Sequence, residues 1–169
     1  MNDQAQLHEI LDRLRNRFFG KYRGTVTDVD ASTMSVKAYV PAVLGDQASG
    51  WCQPCVPYAG PNVGFCMLPE VGSGVWIEFE AGDVSRPIWV GCFWYSTEVP
   101  STADPEIRQI ITTAGTLAFS DSASNITVTG AQNQTVLLDT QGITLTAGSG
   151  AVAVGASGVN VNSGALVVT

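Results

Sequence analysis

Histidine is nearly missing from this chain: His8 is the only one in 169 residues. A Ser-His-Asp or Cys-His arrangement inside a folded core therefore has no base to draw on. Basic residues are scarce as well, with 8 Lys and Arg against 15 Asp and Glu and a formal net charge of -7. Gripping phosphates takes clustered Lys and Arg, so nucleic acid is not an expected partner. No apolar block follows a basic start, and no secretory signal is expected. Residues 143–169 lack any charged side chain, yet 13 of those 27 are Gly, Ser, Thr or Asn, too many for the run of about 20 apolar residues that a bilayer demands. Proline is missing after Pro105, and from Ile110 onward only Asp121 and Asp139 carry charge. A disordered tail would be rich in both, so this one is expected to fold.

What is present divides the chain. A hydrophobic fraction of 45% suffices for one ordinary core with an appendage. Leu7, Ile10, Leu11, Leu14 and Phe18 recur on a 3.6-residue period, which predicts an amphipathic helix over residues 1–20, ending near Gly20. Its stripe either packs on the chain's own domain or docks onto a partner through Leu7, Leu11, Leu14 and Phe18, with Arg13, Arg15 and Arg17 steering the approach.

From Gly24 the period becomes two. Val26, then Met34, Val36, Ala38 and Val40 alternate with polar neighbours across a DVDAST turn. Val75, Ile77 and Phe79 share one face of a further strand, and residues 88–94 alternate again after an AGDVSRP turn. Several short strands in so few residues predict a small closed or nearly closed barrel over 21–98. The ordered set GWCQPCVPYAG, LPEVG, VWIEFEAGD, RPIWVG and FW resembles the OB-fold domain of the phage baseplate protein V and VgrG spike family. That resemblance implies a homotrimer held under a tail tube by hub proteins, with a needle of three intertwined chains that pierces an envelope when a contractile tail fires. It places the chain in the baseplate of a virion or injection particle, assembled in the bacterial cytoplasm.

Residues 99–109, with Pro100 and Pro105, read as an extended linker. Beyond it, short β-rich words begin at Leu117, Ile126, Thr135, Ile143, Ala151 and Val159, eight or nine residues apart with Gly or Asn in the gaps. One such word cannot bury a face alone and must stack on neighbours. An eight-residue step supplies one strand and a corner, so the expectation for 110–169 is an intertwined, trimeric triple-stranded β-helix. The fold class is thus all-β: N-terminal helix, OB-fold barrel, then spike.

Little chemistry is offered. Glu78, Glu80 and Asp83 read as a solvated strand face and turn rather than paired acid and base. Cys52 and Cys55 form a C-x-x-C, but Cys66 and Cys92 stand 26 residues apart in apolar patterns, favouring buried free thiols over zinc or a disulfide. The chain is expected to be no enzyme, with no cofactor, metal or catalytic residue. Relatives that close their point with histidine-bound iron differ from this chain, which has no histidine after His8. Leu166, Val167 and Val168 either seat a separate tip protein resembling PAAR-repeat cones, or Leu166 and Val168 turn inward and fill the last level of the fibre. The function expected is a structural central spike. A fibrous adhesin, or a single-strand nucleic-acid-binding OB module using Trp51, Trp76, Trp89 and Trp94, are the competing readings.

Overall fold

The computed structural model describes Gln4, Gln6, Leu7, Leu11 and residues 17–168. The described residues are mostly β and form two compact units, residues 1–99 and 100–169.

In the first unit β1 (Tyr22–Asp30) and β2 (Ser35–Tyr39) pair antiparallel, and a short helix, α1 (Pro41–Leu44), follows. Next come β3 (Gln53–Pro54), the small hairpin of β4 (Ala59–Gly60) and β5 (Val63–Gly64), then β6 (Gly74–Phe79) and β7 (Pro87–Phe93). Five strands form one sheet in the order β2-β1-β6-β7-β3. Val36 and Cys52 bridge antiparallel, which brings edge strand β2 to the residue ahead of β3. The sheet thereby curls into an OB-like half-barrel, and the edges most open to pairing are largely used up.

Period-two alternation supplies the interior. Val26, Val36, Ala38, Val40, Val75 and Ile77 are all at most 1% exposed, and Phe79 and Trp89 close the cluster. Met34 departs from the expected alternation. It sits in the β1–β2 turn with φ of 55°, and its carbonyl accepts a hydrogen bond from Trp89 Nε1 at 3.0 Å. In β7 the alternation breaks where the register with β6 shifts between Trp76 and Ile77, leaving Val90 out of the pairing. Cys52 is the only buried thiol; Cys55, Cys66 and Cys92 are exposed, against the expectation for Cys66 and Cys92. Cys66 lies in the loop after β5, where no inward face exists to receive it.

Most of the predicted helix over 1–20 lies outside the described residues. Residues 17–20 are not helical. Phe18 N–H donates to Gly82 O at 2.9 Å, and Arg17 Nη1 to Ala81 O at 2.9 Å, which pins this segment to the turn after β6.

The second unit contains β8 (Ile107–Thr112), β9 (Gly115–Ser120), β10 (Asn125–Gly130), β11 (Thr135–Asp139), β12 (Gly142–Ala147), β13 (Gly150–Gly155), β14 (Gly158–Val161) and β15 (Leu166–Val168). Every strand pairs antiparallel with the next, giving an eight-stranded meander whose edges are β8 and β15. The expected triple-stranded β-helix is a property of three chains; the single chain forms an antiparallel sheet. At each short step the backbone reverses. Asp139 shows how: its Oδ1 accepts from Gln141 N–H at 2.8 Å and Gly142 N–H at 3.2 Å, folding the connection into an Asx turn. Gly142 then has φ of 139°, and a Cβ there would lie 2.0 Å from Val154 O. Strand β8 begins at Ile107, inside the stretch read as linker.

Candidate functional site

Residues directly opposite one another in an antiparallel sheet share a face, as do residues two apart on one strand. Applying this to the meander sorts its side chains cleanly. Ile110, Leu117, Val128, Val136, Leu145, Val152, Val161 and Leu166 form one cross-strand row. Two residues away on the same face lies a second row of Phe119, Ile126, Leu138, Ile143, Val154, Val159 and Val168, headed by Arg108. Of all these positions only Arg108 is not apolar. The opposite face is composed chiefly of small and hydroxyl side chains, among them Thr116, Ala118, Thr127, Thr129, Thr144 and Ala153; Ile111 and Leu137 are exceptions.

No described residue of this unit is buried. Leu145 remains 45% exposed and Leu166 59%, although a sheet stripe this apolar ordinarily lies against another layer. Full burial of one Leu, Ile or Val side chain is worth about 1.5–3 kcal/mol. Two rows left open in water are therefore a large unused driving force for association. The one charge on the face stands at its first strand: Arg108 pairs with Asp121 of the β9–β10 turn, both well exposed. There a guanidinium reaches water and costs the apolar stripe little.

Leu166 and Val168 continue the two apolar rows on β15, so two of the three expected cap-binding residues belong by register to the same face as Leu145. Val167 pairs with Asn160. Of the residues expected to dock a hub, Leu7 and Leu11 are helical and exposed, and Leu14 lies outside the described residues. Phe18 is engaged by its own barrel. Its ring packs edge-on against Tyr22 and Phe79, with centroids 6.3 and 6.4 Å away, and it is half-buried on the core. Sequence reasoning missed β8; the alternation of Ile110 with its polar neighbour Gln109 and the Thr-Ala-Gly turn after it were the available signal.

The acidic residues weighed for catalysis are held in surface pairs. Glu78 pairs with Lys21, and Glu80 with Arg86 at 2.8 Å. Asp83 accepts from the backbone N–H of Ser85 at 3.0 Å and its hydroxyl at 2.8 Å, which hold the carboxyl below the usual range. Among the described residues no group of three or more His, Cys, Asp and Glu side chains is placed to hold a metal ion.

Two family descriptions match the chain. Residues 22–94 match the type VI secretion system/phage-baseplate injector OB domain, and residues 109–167 the phage baseplate V C-terminal trimerisation domain. The actin cross-linking toxin VgrG1 of Vibrio cholerae serotype O1 is 34% identical over 61 residues, which is 36% of this chain but 6% of that protein. The barrel and the meander thus each coincide with one of the two matched domains. On this evidence the chain belongs to the phage baseplate V and VgrG-like family, whose domains are those of a structural baseplate spike.

Proposed function

We propose that three copies of this chain form the central spike of a contractile-tail or injection baseplate, and that the spike transmits axial force to a target envelope. The observation that carries the reading is the pair of nearly unbroken apolar rows, lying on a segment that matches a trimerisation domain. Three meanders packed with these rows inward would place six apolar side chains at each level. Thr, Ser, Ala and Asn would then face water, which keeps an almost uncharged fibre soluble. The role is mechanical, and no residue is assigned to catalysis. In this arrangement Leu166 and Val168 continue the inward rows, and the β15 segment is assigned as the seat for a separate tip protein. Leu7, Leu11 and Leu14 are assigned to contact with hub or tail-tube proteins. Light scattering on the purified protein tests the reading: a trimer that resists SDS is expected, and a monodisperse monomer overturns it. Imaging of intact particles then locates the spike.

A further inference from the structure

Residues 56–69 of the barrel unit, VPYAGPNVGFCMLP, hold no charged side chain. They carry the β4–β5 hairpin and form an arm whose large apolar residues face outward: Tyr58 is 60% exposed, Val63 51%, Phe65 43% and Met67 45%. Between the arm and the β1–β2 turn runs an open groove of about 800 Å³, lined by Met34, Val56, Tyr58, Val63, Phe65 and Cys66 and by no charged residue.

A second surface of the same unit has the composition of a binding hot spot. The Arg23 guanidinium lies 5.0 Å from the Trp76 ring centre and 4.7 Å from that of Phe93. Tyr95 meets Phe93 edge-on at 5.2 Å, and its hydroxyl is 2.8 Å from Thr25 Oγ1. Trp94 lies between Phe93 and Tyr95 in the sequence, so its backbone is flanked by two ordered rings, and its own side chain is 64% exposed. Side chains already held in place lose little freedom on binding.

We propose that in the trimer Trp94 of one copy seats in the uncharged groove beside the 56–67 arm of the next copy, closing a ring of three barrels. The inference rests on the trimer reading and adds a contact to it. A threefold ring is heterologous, so each barrel must present two different surfaces that fit one another. The uncharged arm groove and the exposed apolar side chain of Trp94 are such a pair. Trp94 stands six residues ahead of Pro100, where the second unit begins. Once the meanders associate, every groove faces a tethered Trp94 at an effective concentration in the millimolar range. Under those conditions a contact too weak to form between free barrels becomes saturated.

Cys66 lines the groove and is exposed in the single chain, whereas Cys52 is buried in the core. Maleimide labelling of the full-length protein, read by peptide mass spectrometry, therefore reports both the contact and the fold. Light scattering comes first, and a monomer at that stage removes the trimer reading and this contact together. In a confirmed trimer Cys66 should label at least about tenfold more slowly than in the denatured chain. Trp94→Ala and Phe65→Asp should each restore fast labelling while the trimer persists and Cys52 stays unreactive. Where Trp94→Ala exposes Cys52, Trp94→Gln takes its place. Fast labelling of Cys66 in the wild-type trimer overturns the contact, including the case where protection arises only in the assembled particle and the occupant is a hub protein. Protection that survives loss of Trp94 overturns it equally.

Discussion

Asp30 closes the turn between β1 and β2 with its carboxylate. It accepts from the Ser32 hydroxyl at 2.6 Å, the Thr33 hydroxyl at 2.8 Å and the Ser32 backbone N–H at 2.9 Å. These bonds, the Ser32 hydroxyl first, hold its pKa below the ordinary value. A carboxylate depressed on folding stabilises the folded state above its unfolded pKa of about 3.9 and loses that contribution as pH falls through its lower folded value. All four tryptophans lie in the barrel unit, so their fluorescence follows that unit alone. The urea midpoint by fluorescence should drop below about pH 4, and Asp30→Asn should flatten part of that drop. In the meander, Leu145→Ala should cost about 2–3 kcal/mol per chain if the apolar face is buried on assembly. Thr144→Ala, on the opposite face, should stay within about 0.5 kcal/mol. Equal effects from the two would remove the distinction between the faces. Period-two patterning made Val26, Val36, Val75 and Ile77 legible as core. Phe18 was misplaced because helical spacing extends to it, while a bond from its N–H to Gly82, distant in sequence, decides its place.

At the scale of elements, the repeat of eight or nine residues was legible but its wiring was not. A strand followed by a short Gly-bearing connection fits a prism corner and a hairpin alike. The choice lies in backbone dihedrals: φ of 139° at Gly142 and 122° at Gly158 serve reversals. Gly142→Ala should therefore be disruptive, because its Cβ would overlap Val154 O and the residue would have to hold a left-handed conformation costing about 1–3 kcal/mol. Calorimetry should show the meander's transition lowered and the barrel's unchanged. A matching melting temperature would mean the connection relaxes freely.

For the whole molecule, the division of labour is sharp. Every buried hydrophobic residue among those described belongs to the first unit, whereas the second exposes its apolar rows. Removing residues 100–169 should leave a soluble barrel with native fluorescence that is monomeric at micromolar concentration. A tight trimer from residues 1–99 would mean that the meander is not the principal clamp. Composition already pointed to this division, since charge thins out where the second unit takes over. The surfaces of the barrel were less visible in sequence: Arg23, Trp76 and Phe93 lie far apart along the chain, and only strand pairing brings them together.

Reversal at every step gives the meander a parity. Residues 142–157 hold two complete strands with their connections, and deleting them joins Gln141 to Gly158, whose dihedral resembles that of Gly142. Chain direction and inward rows are both kept, so the trimer should survive with the sheet shortened by about 9–10 Å. Deleting residues 142–149 alone sets Val152 and Val154 where Thr144 and Thr146 stood, and the apolar rows turn to the water side. Removal of a whole strand pair thus keeps register, turn and inward rows together, whereas removal of one strand keeps the rows inward only if the register is restored, so such a fibre changes its length most simply by strand pairs.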